Sequence, residues 1–240
     1  MKPVDILCTS DLHGMLDGLR EIVSRTNPNM LAIAGDIQPA RIDIDPARWF
    51  KQEFFPFVES LGIPVVATPG NHDFYLQRLL DDNEWAKTPQ NWHLLCDEET
   101  SIEGLRIYGT PWVPWINGMW AFERNESSLP YYFAGIPEGL DLLITHSPPF
   151  FEEHEIDVSL EWAENRRRHF GSPSLTKEIL EKAPQYVVCG HIHSGLHMGV
   201  TVKAADGRKD INIFNVSRVN ERYQVYYTPA LVSILPKVIV

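Results

Sequence analysis

Val4-Asp5-Ile6-Leu7-Cys8-Thr9-Ser10-Asp11-Leu12-His13-Gly14 decides the fold: a short apolar run that stops abruptly at a carboxylate, an imidazole and a glycine. The same pattern returns four times. Met30–Ala34 is followed by Gly35-Asp36, and Ile63–Thr68 by Gly70-Asn71-His72-Asp73. Leu140–Thr145 is followed by His146, and Tyr186–Cys189 by Gly190-His191-Ile192-His193. Short Val- and Ile-rich runs that are apolar on both faces read as strands of a sheet covered on both sides. Helix signals lie between them. Asp45-Pro46 offers an N-cap and a proline at N1 to a segment ending at Gly62, which Pro56 is expected to kink or split. Ser172-Pro173 opens another helix that Pro184 stops. Strands alternating with helices give an α/β fold with right-handed crossovers.

Two stretches differ. Residues 92–108 read as short meandering strands around the Glu103-Gly104 turn. The tail from Ile211 reads as three more, over 211–217, 223–227 and 230–234. Antiparallel additions at both places would extend the core into two packed sheets. No repeat, linker or low-complexity tract divides the chain, so residues 1–240 are read as one domain.

Composition sets the outer bounds. Hydrophobic residues at 44% and charged residues at 22% exclude wholesale disorder. No apolar run approaches the length of a bilayer span, so no membrane partner is expected. The N-terminus reads as a first strand and not as a targeting segment. Cys8, Cys96 and Cys189, odd in number and without CxxC spacing, point to a reducing compartment, the cytoplasm by default. A net charge of −11 repels long polyanions, which disfavours long nucleic acid as a partner. Handling phosphate would need locally concentrated positive charge, and bound metal ions supply it. The sequence is silent on oligomeric state.

The chemistry sits where the apolar runs end. In open α/β sheets the carboxyl ends of parallel strands share one edge, and ligands bind in the crevice there. That edge would gather Asp11, Asp36, Asn71 and five of the nine histidines: His13, His72, His146, His191 and His193. Mixed nitrogen and oxygen donors suit Mn, Fe or Zn and would be a poor set for calcium. There are too many for one tetrahedral ion, whereas two ions sharing a bridging carboxylate fit the count. Taken singly, each motif has an ordinary reading. Asp-x-His is a common surface loop, Gly-Asp a turn, and Asp73 an N-cap. Five occurrences in the same slot make coincidence a poor explanation.

Together, Asp11-x-His13, Gly35-Asp36, Gly70-Asn71-His72-Asp73, His146 and Gly190-His191-x-His193 resemble the five-part signature of the calcineurin-like metallophosphoesterases, in order. The resemblance spans roughly residues 4–235. It implies a four-layer α/β/β/α sandwich with two mixed sheets and a dinuclear centre of two divalent transition-metal ions. Asp11, His13, Asp36 and His193 would hold one ion; Asp36, Asn71, His146 and His191 the other, with Asp36 bridging. His72 would face the substrate as proton donor without binding metal. A metal-bridging hydroxide would attack phosphorus in line. Residues 108–122 are similar to a Pro-Trp segment of the small class III phosphodiesterase-like group, which implies a small phosphodiester as substrate. Nuclease or phosphomonoesterase activity is the alternative within the superfamily, and an inactive metal-binding scaffold the alternative outside enzymes. The chain departs from the serine/threonine phosphatases, because Gly35-Asp36 continues into Ile37-Gln38-Pro39-Ala40 and not Asp-Arg-Gly. The Asp that partners the catalytic His in those enzymes has no counterpart, which leaves open what orients His72.

Other residues have competing roles. The aromatic cluster within 108–133 could stack bases or simply pack. Arg166-Arg167-Arg168 reads as a solvated face. Arg41, close behind Asp36, is a candidate anion contact, and His197, four residues past His193, a candidate to face the cleft. Cys8 and Cys189 read as buried, reduced thiols.

Overall fold

The computed structural model of the chain describes residues 2–82, 88–159 and 169–237. The first half holds β1 (Val4–Thr9), α1 (Leu19–Thr26), β2 (Met30–Ala34), α2 (Pro46–Trp49), α3 (Phe55–Leu61), β3 (Val65–Thr68) and α4 (Phe74–Asp82). The middle holds β4 (Trp92–Leu94), β5 (Glu98–Ile102), β6 (Leu105–Thr110), the short β7 (Val113–Pro114) and β8 (Glu123–Arg124), and α5 (Leu129–Phe133). The last part holds β9 (Leu142–Thr145), α6 (Pro173–Lys182), β10 (Tyr186–Cys189), β11 (Val200–Lys203), β12 (Asp210–Asn215) and β13 (Ala230–Ile234).

Two mixed sheets result, one ordered β13-β1-β2-β3-β4 and the other β11-β12-β10-β9-β6-β5. Each has a parallel centre with antiparallel strands at its margins: β13 beside β1 in the first, β11 and β5 at the edges of the second. Alternate residues of each central strand point to opposite faces, and both faces are buried. Ile6, Cys8, Met30, Ala32 and Val66 pack between the sheets against Ile107, Leu142, Ile144 and Val188. On the outer face of the first sheet, Leu7, Leu31 and Ile33 meet Phe50, Phe54 and Val58 of the helical layer. On the outer face of the second, Leu143, Val187 and Ile213 meet Phe133, Leu175 and Ile179. The layers are therefore α/β/β/α, as expected.

The Asp45–Gly62 segment obeys its sequence signals with one difference. Asp45 caps the N-terminus through the Ala47 N–H at 3.0 Å, and Gly62 ends the helix at φ 66°. Pro56 does not split it. A π-helical turn over Phe50–Phe54 links α2 to α3, with the Phe55 N–H donating to the Phe50 carbonyl. The wide turn absorbs the donor that Pro56 lacks. α6 is capped by Ser172, whose Oγ accepts the Leu175 N–H at 3.2 Å. It ends at Ala183 in a left-handed conformation, since the residue before Pro184 is kept out of the helical region.

Two expectations are corrected. Trp92–Leu94 is no antiparallel addition, because β4 runs parallel to β3 at the edge of the first sheet. The chain crosses to the second sheet at 95–97, and within residues 92–108 only the β5–β6 hairpin is antiparallel. Residues 223–227 form no strand; a single bridge, Val219 to Val225, closes a tight hairpin instead. Arg166-Arg167-Arg168 lies outside the described residues.

Candidate metal centre

Each predicted ligand leaves the carboxyl end of a parallel strand and turns at once into the cleft between the sheets. Such turns need unusual backbone. Asp11, His13, Asp36 and His191 have φ of 52°, 44°, 53° and 69°. Left-handed non-glycine residues store strain of about 1–3 kcal/mol each and persist only where their surroundings hold them. Here the first two loops hold each other: the N–H groups of Asp11, His13 and Gly14 donate to the carbonyls of Gly35, Asp36 and Ile37 at 2.9, 2.9 and 3.0 Å. The buried Asp73 carboxylate adds a brace to the third loop. It accepts the N–H groups of Ile37, Gln38 and Gly70 at 2.9, 2.7 and 2.8 Å. Gly70 is required by space: a Cβ there would strike the Asp36 carboxylate and backbone and lie 2.7 Å from His146 Cε1.

The side chains converge on two adjoining positions. On one side His193 Nε2 lies 3.3 Å from Asp11 Oδ1 and 3.4 Å from His13 Nε2. His13 Nε2 is in turn 3.7 Å from Asp36 Oδ2. On the other side His146 Nε2 lies 3.4 Å from Asp36 Oδ1 and 3.0 Å from Asn71 Oδ1. Donors that share an ion at about 2.0–2.2 Å stand roughly 3–3.6 Å apart, so this spacing fits metal coordination. Three sets could each hold an ion: Asp11, His13 and His193; Asp11, Asp36 and His146; and His13, Asp36 and His72. His191 packs its ring 5.1 Å from that of His146, and its backbone N–H reaches the Asp11 carboxylate at 3.1 Å.

Supporting bonds orient these donors. His146 Nδ1 donates to the Ala34 carbonyl at 2.8 Å, which turns Nε2 toward the cleft. Ser217 Oγ donates to Asp11 Oδ2 at 2.6 Å. Burial would raise the Asp36 carboxyl, but His146 and then His72 and His13 hold it well below the usual carboxylate range. Burial depresses His13 and His191 to about 3, which keeps them neutral and ready to bind a cation. Burial also opposes charge on His146, yet Asp36 carries it up to about 9.

His72 occupies the rim. Its backbone N–H donates to Asp36 Oδ1 at 2.8 Å, and its Nε2 stands 3.9 Å from Asp36 Oδ2. What orients the ring is Trp120, whose centroid is 4.4 Å away, with His13 edge-on at 4.8 Å. The aromatic stretch 108–133 thus divides in two. Trp112 packs inward on Tyr132 and Phe122, with Arg124 over its face. Trp120 and Ile116 instead line a cavity of about 270 Å³ over the candidate metal ligands. Glu123 fixes that loop, accepting the N–H groups of Ile116, Asn117 and Trp120 at 2.7, 2.8 and 3.0 Å. The Ala121 N–H ties it to the Asn71 carbonyl at 3.1 Å.

Two candidates lie elsewhere. Arg41 is exposed and pairs with Asp43 at 2.6 Å, two residues along its own loop, away from the residues that line the cavity. His197 faces a neighbouring groove, where it stacks on Tyr227 at 3.5 Å and donates Nε2–H to the His193 carbonyl at 2.9 Å. It touches the centre through the backbone of a proposed ligand. Sequence reasoning missed Ser217, Glu221 and Tyr223. A serine at the end of a strand carries no signal, Tyr223 lies in a stretch read as strand, and Glu221 falls in the turn between two such stretches.

Comparison with known proteins identifies the family. The family model for calcineurin-like phosphoesterases matches residues 4–195. Human metallophosphoesterase domain-containing protein 1 is 35% identical over 143 residues, which is 58% of this chain and 39% of that protein. The match thus covers well under half of that relative's length. UPF0046 protein C25E10.12 of Caenorhabditis elegans is 26% identical over 96% of this chain and 81% of its own. Similar solved structures include an archaeal phosphodiesterase (16% identity, TM-score 0.39, 95% of this chain and 99% of that one). The phosphoesterase YfcE of E. coli is another (16% identity, TM-score 0.38, 88% and 78%). Among the described residues no helix is long and apolar enough to cross a membrane. The chain belongs to the calcineurin-like phosphoesterases, a metal-dependent family.

Proposed function

We propose that the protein hydrolyses small phosphodiesters with two divalent ions, Mn, Fe or Zn, held by Asp11, His13, Asp36, Asn71, His146, His191 and His193. One observation carries the reading: the two oxygens of Asp36 face different histidines, Oδ1 toward His146 and Oδ2 toward His13. A carboxylate so placed can serve two ions at once. Bound ions would supply Lewis acidity toward the phosphoryl oxygens and an activated water for in-line attack. The chain's own residues do the rest. Asp11 and Asp36 concentrate negative charge, His146 is aimed by Ala34, and His72 stands at the rim to protonate the departing alkoxide.

A diester preference is supported by the cavity wall, which contains no Lys or Arg among its described residues to meet the second charge of a monoester. The net charge of −11 and the small cavity support a small substrate over long nucleic acid. Cys8, Cys96 and Cys189 are unpaired, which supports a reducing, cytoplasmic setting. The test compares metal-stripped and metal-reconstituted protein on bis-p-nitrophenyl phosphate, p-nitrophenyl phosphate and long single-stranded DNA, with elemental analysis alongside. Metal-restored hydrolysis favouring the diester, with two equivalents bound, is the expected result. Activity without metal, or processive DNA degradation at physiological salt, would overturn the reading.

A further inference from the structure

The mouth of the metal-site cavity has a character that phosphate chemistry alone does not call for. Trp120, Tyr223 and Glu221 line it together, and no Lys or Arg is among the described lining residues. Tyr223 is not there by slackness of the chain. It sits at φ 56° in a hairpin closed by hydrogen bonds between Asn220 and Gln224 at 2.9 Å and from the Tyr223 N–H to the Asn220 carbonyl at 2.8 Å. The Asn220 side chain accepts the N–H groups of Arg222 and Gln224 as well, at 3.0 and 3.1 Å. A left-handed tyrosine is strained, and these hydrogen bonds hold it in place. Its ring stands edge-on to His13 at 4.7 Å and to His193 at 5.4 Å. Glu221, two residues earlier, is aimed by the Ser194 N–H, which donates to its Oε1 at 3.0 Å.

Two aromatic rings and a carboxylate around one small opening attract positive charge: the ring faces through their quadrupoles, the carboxylate directly. The same set is a poor receptor for a second phosphate or a carboxylate. We propose that Trp120, Tyr223 and Glu221 form a cation-binding subsite beside the metal centre. The preferred substrate is then a small phosphodiester whose organic arm ends in an ammonium or quaternary ammonium group. The proposal rests on the phosphodiesterase reading above and narrows it to a substrate class. The diester supplies one negative charge to the metals and one positive charge to the subsite, and the strongly acidic protein draws in the cationic end.

The test uses the metal-reconstituted protein and two esters with the same leaving group: p-nitrophenyl phosphocholine and p-nitrophenyl 3,3-dimethylbutyl phosphate, its isostere with an uncharged arm. Bis-p-nitrophenyl phosphate is measured alongside. The expected result is a kcat/KM ratio of choline to isostere on the order of 10 in the native protein, the size that a desolvated cation–aromatic contact gives. That ratio should fall toward one in Glu221→Gln and in Tyr223→Ala, with Glu221→Asp retaining part of it. A native ratio near one, with bis-p-nitrophenyl phosphate still hydrolysed, would overturn the subsite and leave the phosphodiesterase reading standing. Failure to hydrolyse any of the three diesters would overturn both. Loss of bound metal in Glu221→Gln would assign that carboxylate to the metal centre and overturn the subsite.

Discussion

Asp36 presents Oδ1 to His146 Nε2 at 3.4 Å and Oδ2 to His13 Nε2 at 3.7 Å, so one buried carboxylate spans both halves of the centre. Asp36→Asn keeps the shape of the side chain but replaces one ligand oxygen with an N–H donor. Metal occupancy should fall and nearly all activity should go, while the apolar core still folds. Elemental analysis with circular dichroism checks this. Two full metal equivalents with activity retained in the mutant would refute the bridging role.

Gly70 gives an independent test, because it has no side chain to offer an ion. A methyl group at this position would collide with the Asp36 carboxylate and crowd His146. Gly70→Ala should therefore disturb both halves of the centre at once, at a stability cost of about 1–3 kcal/mol typical of overpacking. Metal affinity and activity should drop together, with unfolding still cooperative in urea. Normal metal binding by the alanine variant would mean that the loops have room the close approach denies.

Most of this arrangement was legible in the sequence, and for a physical reason. Parallel strands buried on both faces need continuous apolar runs, and the residues that end each run lie on one edge of the sheet. Asp11, Asp36, Asn71, His146 and His191 could therefore be placed together from spacing alone. The residues that escaped belong to elements without such coupling. Tyr223 was hidden because Tyr-Gln-Val-Tyr-Tyr has strand composition, and only the Asn220-centred hydrogen bonds bend it into a hairpin. Trp120 could not be told from Trp112 by sequence; Glu123, which holds the 116–120 loop, makes one line the cavity and lets the other pack. Pro56 pointed to a kink or a split, and a π-helical turn keeps the segment from splitting.

The thiols offer a check on packing. Burial pushes Cys8 up to about 12, and burial with Asp97, Glu98 and Asp81 does the same to Cys96. Cys189 is raised as well, by burial and the nearby Asp11. Raising the pKa of a thiol lowers the thiolate fraction at any given pH, and thiolate is the reactive form. All three cysteines should resist a disulfide reagent at pH 8 in the folded protein and react together once guanidinium unfolds it. A thiol that reacts rapidly before unfolding would contradict this packing.

His72 lies close enough to the centre that its role has to be separated from that of the ligands. Its Nε2 is 3.9 Å from Asp36 Oδ2, and Trp120 packs against its ring. A general acid matters in proportion to the basicity of the leaving group, since a poor leaving group cannot depart as a bare alkoxide. His72→Ala should keep both metals yet lose activity unevenly. The expected loss is on the order of 10²–10⁴-fold for alkyl or ribose leaving groups, the usual range for general acid catalysis. For p-nitrophenolate, which leaves without a proton, it should be much smaller. Trp120→Ala, which frees the ring but leaves the imidazole in place, should show the same unevenness in weaker form. Kinetics on both classes of ester, with metal content measured in parallel, decide among the roles. Equal loss on both would mean that His72 stabilises charge on the phosphoryl group and donates no proton. Loss of one metal equivalent would make it a ligand, in the set it forms with His13 and Asp36.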